Sequence, residues 1–289
     1  MSTSKVVLIT GCSDGGIGGT LAAQLAEQGH FVFATARNPA KVPPRLQDLD
    51  NVHILQLDVT DEESITAATT AVTKHGKGLD VLVNNAGLGY ASPLLDVDIA
   101  RAKSVHDAMV WGPLRMVHAF SDLLIASKGR IVNIGDACGQ VYTPWIGTYS
   151  SAKAALHILS ETLRLEMSPF GVHVGCIMTG TVATKLHANA PALSLPERSL
   201  YSGIAGTIGR WARGEAGPPG GSLDEYVASI IPDVVGRLTR KRGVVWRGAN
   251  VGAVWFAATW LPTYIVDMLL LQNQGIDELT QLVLDKKAM

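Results

Sequence analysis

A tyrosine and a lysine four positions apart, Tyr149 and Lys153, are the residues of this sequence whose types and spacing point most directly to catalysis. On a helix, side chains at positions i and i+4 are neighbours, so the Lys153 ammonium would lie near the Tyr149 phenol and favour the phenolate. A tyrosine tuned in this way can give or take a proton near neutral pH. Because Tyr-x-x-x-Lys also arises by chance on amphipathic helices, other motifs must decide whether this pair forms a site.

A glycine-rich stretch at residues 10–18, TGCSDGGIG, is the second motif that could do chemistry. It lies between the first predicted strand and the first predicted helix, where backbone N–H groups can approach a pyrophosphate at the helix N-terminus. The second predicted strand ends at Arg37 without an acidic residue, and an arginine there can bind the 2′-phosphate of NADP(H). An exposed charge at a strand end is the alternative interpretation of Arg37. We therefore predict an NADP(H) site, whose predicted residues are Gly11, Ser13, Gly16, Ile17, Gly18, Arg37, Asp58, Val59, Asn85, Ala86 and Gly87.

The elements that must position these motifs alternate between strands and helices. Short apolar runs predict strands at residues 5–10, 31–35, 52–57, 79–84, 130–134 and 173–178. Helical patterns fill most of the gaps, at residues 17–29, 62–74, 98–126 and 148–168. Such alternation predicts an α/β fold with a doubly wound parallel sheet of Rossmann type, whose ligand lies at the carboxyl ends of the strands.

The length of 289 residues favours one domain with three parts. Residues 1–185 would form the dinucleotide-binding and catalytic core. Residues 186–247 contain many Pro, Gly and Ala and would form a substrate lid, with a helix opened by a Ser222–Glu225 capping box. Residues 248–289 would be an apolar C-terminal segment packed on the core.

Residues 251–271 of that last segment are almost uncharged, and Gly252 and Pro262 interrupt them. The interruptions make a membrane-spanning helix a weak interpretation. Core or substrate roof is the preferred role, and the alternatives are a subunit interface and an apolar flap on a membrane surface. The membrane interpretation would be helped by a nearby basic cluster, which comprises Arg237, Arg240, Lys241, Arg242 and Arg247.

Composition limits the classes of partner and compartment. The formal net charge of -1, from 24 basic and 25 acidic residues, gives no reason to expect a nucleic-acid partner. The cysteines Cys12, Cys138 and Cys176 are odd in number and suit buried free thiols in a reducing compartment better than disulfides. The N-terminus runs directly into a strand without a charged and then apolar leader, so we predict a cytoplasmic protein. No metal site is predicted.

Taken together, these motifs resemble those of the short-chain dehydrogenase/reductase family. The glycine turn, Asn-Asn-Ala-Gly at 84–87, Tyr-x-x-x-Lys, and Thr-Gly-Thr-Val-Ala-Thr at 179–184 occur in that family's order and spacing, over about residues 5–185. The longer turn at 11–18, Thr179-Gly180 in place of Pro-Gly, Trp-Gly-Pro at 111–113 and Val-Trp-Arg-Gly at 245–248 are similar to a fungal branch related to 1-acyldihydroxyacetone-phosphate reductases.

The resemblance implies several properties that composition and spacing do not. It implies NADPH, an apolar substrate of lipid or secondary metabolism, pairing of subunits through residues 98–126 and 148–168, and a location peripheral to the endoplasmic reticulum or lipid droplets. Tyr149 would be the proton donor or acceptor, and Lys153 would hold the nicotinamide ribose and lower the tyrosine pKa. Val182 and Thr184 would contact the nicotinamide amide.

Two positions depart from the family's catalytic pattern. The family has a serine thirteen positions before the tyrosine, where this chain has Asp136, and an asparagine where it has Met109. An ionised Asp136 would favour the neutral phenol of Tyr149 and could not donate a hydrogen bond to a carbonyl. A protonated Asp136 could instead act as donor, or as acid and base with Tyr149. Met109 cannot relay a proton and could simply fill space, and Asp136 could be only a turn residue.

Three functions follow from these residues. The first is an NADP(H)-dependent oxidoreductase that acts on an apolar carbonyl or alcohol. The second is an isomerase, dehydratase or cyclase of a biosynthetic pathway, with Asp136 and Tyr149 as acid and base. The third is a catalytically silent nucleotide-binding or scaffold protein, which the presence of both Tyr149 and Lys153 disfavours.

Overall fold

A single parallel sheet forms the centre of the molecule in the computed structural model, which describes residues 4–236 and 243–288. Within those residues the sheet has seven strands in the order β3-β2-β1-β4-β5-β6-β7, and every neighbouring pair is parallel. The predicted doubly wound α/β fold is therefore confirmed. The strands are β1 (Val6–Ile9), β2 (Phe31–Ala36), β3 (Val52–Gln56), β4 (Val81–Asn84), β5 (Arg130–Ile134), β6 (His173–Thr179) and β7 (Val244–Arg247).

The helices cover both faces of this sheet because the strands are apolar on both sides. Along β1, Val7 and Ile9 pack in the same core as the helices α1 and α7, while Val6 and Leu8 pack in the core formed with α2 and α4. The described α-helices are α1 (Ile17–Glu27), α2 (Glu62–His75), α3 (Ile99–His106), α4 (Gly112–Ser127), α5 (Gly147–Met167), α6 (Ala205–Ala212), α7 (Leu223–Val235), α8 (Val251–Trp260), α9 (Thr263–Leu271) and α10 (Ile276–Ala288).

The predicted helical segment at residues 98–126 is helical in the structure and contains a turn of different geometry. A π-helical turn, Asp107–Trp111, separates α3 from α4, and Pro113 then occupies the first turn of α4. A proline inside a helix removes a hydrogen bond, which agrees with the change of helix geometry just before Pro113. The helical prediction for this segment is confirmed, and the π-helical turn within it was not predicted.

The predicted lid at residues 186–247 is too long, because its second half belongs to the core. The helix α7 buries Tyr226, Val227 and Ile230 against α1, and β7 is the edge strand beside β6. The Ser222 side chain accepts a hydrogen bond from the Glu225 N–H, so the predicted helix start is confirmed. A bidentate ion pair between Arg247 and Asp233 ties β7 to α7.

Of the preferred interpretation of residues 251–271, core or substrate roof, the core part is wrong. No residue of α8 is buried, and Val266 is the single buried residue of α9. Large apolar side chains are exposed there, including Trp260 at 67% and Tyr264 at 72%. The helix α8 instead lies beside the turn Ala137–Gln140 that follows β5, which agrees with a roof over that edge of the sheet. Four members of the predicted basic cluster, Arg237, Arg240, Lys241 and Arg242, lie outside the described residues.

None of the helices in the described parts of the chain is long and apolar enough to cross a membrane.

An arginine at the start of β5 closes the end of α7. The Arg130 guanidinium donates to the carbonyl oxygens of Asp233 and Val234, at 2.9 and 2.8 Å, and to that of Gly236. These are carbonyl groups of the last turn of α7 and of the residue that follows it, which lack partners within the helix. Burial lowers the Arg130 pKa, and the nearby Asp233 carboxylate raises it.

Replacing Arg130 with methionine should therefore destabilise the protein by about 2–4 kcal/mol, because part-buried carbonyl groups lose charge-assisted hydrogen bonds. Urea unfolding followed by circular dichroism measures this difference. The matched control is Arg164→Met, which removes a surface ion pair with Glu161 and should cost less than about 0.5 kcal/mol. Equal losses in the two variants would contradict the capping role.

Candidate active site

The strand order places the candidate site where the connections change direction. The strands β1 and β4 are neighbours, and the chain winds outward from them toward β3 on one side and β7 on the other. In doubly wound sheets, ligands bind at the carboxyl ends of the strands at this switch point. The glycine turn follows β1, Asn85 follows β4, and Asp136 follows β5, so one edge of the sheet carries the predicted motifs.

The glycine turn has no room for side chains at two of its positions. Gly11 has a φ of +73°, and a Cβ there would lie 2.8 Å from the Cα of Ala86. A Cβ at Gly18 would lie 2.5 Å from Nδ2 of Asn85. The helix α1 begins after Gly16, which provides no side-chain cap. Uncapped N–H groups at a helix start, beside a turn of bare backbone, suit a phosphate.

Asn85 and Thr10 fasten this turn to the end of β4. The Asn85 amide donates to the carbonyl oxygens of Thr10 and Gly11, at 2.8 and 3.1 Å. The Thr10 hydroxyl accepts from the N–H groups of Asn85 and Ala86, at 2.9 and 3.0 Å. This segment therefore sets the shape of the glycine turn, and the contact of Asn85, Ala86 and Gly87 with a cofactor stays a prediction.

Arg37 and Asp58 lie at the ends of β2 and β3, on the same edge as the glycine turn. Arg37 directly follows β2 and is exposed. The Asp58 carboxylate accepts from the N–H and hydroxyl of Thr60, at 2.9 and 2.7 Å, so this oxygen stabilises the local turn. Val59 is buried against Gly112, where a Cβ would lie 2.7 Å from the valine methyl.

The segment that follows β6, residues 180–185, runs back to the glycine turn. The N–H of Lys185 donates to the carbonyl of Gly15 at 2.9 Å, and its ammonium pairs with the Asp14 carboxylate at 2.7 Å. Val182 lies between β6 and Lys185 and forms a parallel β-bridge with Gly221. The predicted nicotinamide-contacting residues, Val182 and Thr184, therefore lie on a strap across the same edge of the sheet.

The central pair of the site is Tyr149 with Asp136. The Tyr149 hydroxyl donates a hydrogen bond to the Asp136 carboxylate at 2.9 Å. Burial raises the pKa of the Tyr149 phenol well above its usual value, and the Asp136 charge raises it further. The net direction is opposite to the predicted lowering of this pKa by Lys153. The neutral phenol is favoured because a phenolate would be poorly solvated and would face a like charge.

Lys153 does lie beside Tyr149, but its hydrogen bond goes elsewhere. Its ammonium is 5.8 Å from the centre of the Tyr149 ring and donates to the carbonyl oxygen of Ile134 at 2.7 Å. Burial lowers the Lys153 pKa, while the Asp136 carboxylate acts in the opposite direction. One carboxylate, Asp136, is thus close to both the phenol and the ammonium.

Met109 fills space behind the tyrosine. It is 1% exposed and packs in an apolar cluster with Val105, Ala108 and Ala152, against which the Tyr149 ring also packs. A methionine adapts well to such a gap and carries no proton. The buried position of Met109 agrees with the interpretation that its side chain fills space. The π-helical turn that carries Met109 was not predicted.

A buried tyrosine that the sequence motifs do not indicate also belongs to this site. The Tyr226 hydroxyl lies 2.6 Å from that of Thr179, and either can donate. Burial raises the Tyr226 pKa, and the Asp136 charge is a smaller cause in the same direction. The only sequence signal was Thr179 in place of the family's usual proline. Its partner lies 47 residues further along the chain and could not be read from spacing.

The three cysteines are free, and Cys12 and Cys176 are buried while Cys138 is half-buried. Within the described parts of the chain, no group of three or more His, Cys, Asp or Glu side chains is arranged to hold a metal ion.

A doubly wound sheet with a glycine turn after β1 and a Tyr–Lys pair on α5 defines a dinucleotide-binding enzyme fold. The family model for short chain dehydrogenases matches residues 5–193. The chain is 41% identical over 273 residues to the short-chain dehydrogenase ptmH of Penicillium ochrochloron, covering 94% of this chain and 98% of that one. This protein therefore belongs to the short-chain dehydrogenase family of oxidoreductases.

Two further similarities bear on the cofactor. An NADPH-dependent 1-acyldihydroxyacetone phosphate reductase of Schizosaccharomyces pombe is 40% identical over 211 residues, covering 70% of this chain and 69% of that one. A short chain dehydrogenase of Burkholderia cenocepacia, solved in complex with NADP, matches with a TM-score of 0.71 and 25% identity, covering 93% of this chain and 98% of the other.

Proposed function

We propose that this protein is an NADP(H)-dependent oxidoreductase that reduces an apolar carbonyl compound of lipid or secondary metabolism, with Tyr149 as the proton donor. The observation that carries the proposal is that Tyr149 and Lys153 lie together on α5, where Lys153 donates to the Ile134 carbonyl at the carboxyl end of β5, on the edge of the sheet that also carries the glycine turn. The relatives named as fungal short-chain dehydrogenases and as an NADPH-dependent reductase support it.

The cofactor fits the residues that are present. The N–H groups at the start of α1 have no side-chain cap from Gly16 and could bind a pyrophosphate, and the exposed Arg37 offers a cation for a 2′-phosphate. Lys153 would hold the nicotinamide ribose, and Val182 and Thr184 would contact the amide. Bound NADPH would supply the hydride that adds to the carbonyl carbon.

Tyr149 then completes the addition with a proton. The phenol gives its proton to the oxygen of the former carbonyl, which becomes an alcohol. Asp136 keeps Tyr149 protonated between turnovers, because its charge disfavours the phenolate. This arrangement favours reduction over alcohol oxidation, since oxidation requires the phenolate as a base.

A panel of apolar ketones, imines and enones tests this function through the loss of NADPH absorbance. We expect oxidation of NADPH with at least one class of compound. Binding of NADPH without its oxidation on any of them, together with a detectable redox-neutral reaction, would overturn the proposal.

A redox-neutral reaction is the second candidate, and Asp136 is the specific observation in its favour. A carboxylate that holds the tyrosine hydroxyl at 2.9 Å forms an acid and base pair, which suits an isomerase, dehydratase or cyclase. Restoring the family pattern with Asp136→Ser and Met109→Asn separates the two functions. Faster reduction of simple ketones by this variant would support the hypothesis that Asp136 and Met109 divert the enzyme from reduction to a redox-neutral reaction. An unchanged rate would count against that hypothesis.

Replacing Arg37 with leucine should weaken NADPH binding by about thirtyfold and leave NADH binding unchanged, because only NADPH carries the 2′-phosphate that loses a charge-assisted hydrogen bond. Cofactor fluorescence titration measures both dissociation constants. Lys74→Leu, on the exposed face of α2, removes an equal charge away from the site and serves as the control. Equal weakening of both cofactors would exclude Arg37 from phosphate recognition.

We also propose that the enzyme acts in the cytoplasm and that its subunits pair through α4 and α5. We further propose that α8 and α9 make peripheral contact with the endoplasmic reticulum or lipid droplets. Exposed Ile158 and Leu165 on α5 support the pairing. Exposed Trp255, Phe256 and Trp260 support the contact with lipid, since aromatic side chains favour that interface.

A further inference from the structure

A buried glutamine between α9 and α10 joins three distant parts of the chain. Gln274 is 7% exposed. Its main-chain carbonyl accepts a hydrogen bond from the indole N–H of Trp145 at 3.1 Å, and its side-chain oxygen accepts one from the indole N–H of Trp211 at 2.7 Å. Trp145 lies in the loop that leads into α5, and Trp211 lies on α6 in the predicted lid. The C-terminal segment, the lid and the catalytic helix therefore meet at one residue.

Trp145 needs such support because its backbone is unusual. Its φ of +71° lies in the left-handed region, which bulky side chains rarely adopt. The N–H of Ser92 donates to the Trp145 carbonyl at 2.7 Å, and the indole packs edge to face on Tyr201 of the lid at 5.5 Å. Because Tyr149 follows four positions later, this conformation sets the direction in which the chain enters the catalytic helix.

The surroundings of Gln274 are apolar. Trp145, Ile204 and Ile208 form a small buried cluster separate from the two cores of the sheet, and Trp211 and Ile276 pack against it. A buried amide in such a cluster is costly without hydrogen-bond partners. The Gln274 amide has two, because its oxygen accepts from the Trp211 indole and its nitrogen donates to the Gln272 carbonyl at 3.3 Å.

We propose that Gln274 is a positioning residue that fastens the lid helix α6 to the loop before Tyr149, so that substrate retention and the orientation of Tyr149 depend on the C-terminal segment. Gln274 acts through Trp211 and Trp145 and does not itself touch the reacting groups. The part of this inference that concerns substrate retention rests on the proposed reductase function.

Two substitutions break the two connections separately. Gln274→Met is close in volume and removes the side-chain carboxamide, which accepts from Trp211 and donates to the Gln272 carbonyl, while the main-chain acceptor of Trp145 stays. It should raise the KM for a reduced ketone about three- to tenfold with kcat within about twofold. Trp145→Phe removes the other hydrogen bond and should lower kcat about three- to tenfold instead. NADPH binding should not change in either variant.

A double-mutant cycle identifies the pair responsible. Trp211→Phe should raise KM as much as Gln274→Met, and the double variant should raise it no further, because both remove the same hydrogen bond. Gln272→Met, two residues earlier and exposed, is the matched control and should match the unmodified protein. Additive effects, or a lower melting temperature with unchanged KM, would overturn the positioning role.

A spectroscopic readout keeps this test independent of the enzyme assay. The chain has six tryptophans, whose indole N–H signals are resolvable by NMR. In the Gln274→Met variant the Trp211 indole N–H should lose its protection from hydrogen exchange. The Trp145 indole N–H should stay protected, because its acceptor is a main-chain carbonyl. Persistent protection of Trp211 would overturn the proposal even if an active ketone is found. If no ketone is reduced, the proposed function fails, but the hydrogen-exchange measurement still tests the role of Gln274.

Discussion

Tyr149→Phe should reduce NADPH-dependent ketone reduction by about a thousandfold in kcat, because it removes the group that gives the proton to the carbonyl oxygen. The phenylalanine ring keeps the contact with the apolar cluster around Met109, so the fold should be retained. Stopped-flow absorbance of NADPH measures the rate, and fluorescence titration should show an unchanged dissociation constant for NADPH.

Tyr264→Phe is the matched control for this substitution. Tyr264 lies on α9 and is exposed, so removal of its hydroxyl should leave kcat unchanged. A Tyr149→Phe variant that keeps more than about a tenth of the activity would exclude this phenol as the proton donor.

Asp136→Asn should shift the enzyme toward alcohol oxidation. At present burial and the Asp136 charge raise the pKa of Tyr149, so the phenol stays protonated well into the alkaline range. Without the charge this pKa falls, although burial still raises it, so the fraction of phenolate at alkaline pH should rise, with a parallel gain in oxidation rate. Reduction requires the protonated phenol, so its rate in the variant should begin to fall at lower pH than in the unmodified protein.

Rates of both directions between about pH 6 and pH 10 test this expectation. Asp122→Asn makes the same chemical change at an exposed position of α4 and should move neither profile. Superimposable profiles for the Asp136→Asn variant and the unmodified protein would show that Asp136 does not control the protonation of Tyr149.

The parts of the site that the sequence predicted are those set by local geometry. The glycine turn, Arg37, Asn85 and Asp136 each follow a strand, and all parallel strands in one sheet end at the same edge, so their proximity follows once the alternation of strands and helices is recognised. The Tyr149–Lys153 spacing likewise needs only a helix.

The errors concern elements whose place depends on distant contacts. The proline and glycine around the helix α7 and the strand β7 predict a lid, whereas burial against α1 and pairing with β6 decide their position. The apolar composition of α8 and α9 suggested core, but a helix is buried only where the rest of the chain offers a surface to cover it.

By itself, the sequence determined the fold class, the family resemblance and the edge of the sheet where the chemistry lies, because strand alternation and short motifs are local properties. Only the tertiary structure decided the direction in which the Tyr149 pKa moves, since that depends on burial, on the 2.9 Å contact with Asp136 and on where the Lys153 hydrogen bond goes. It also brought Gln274 to Trp145, 129 positions apart, because packing and not spacing joins residues so distant along the chain.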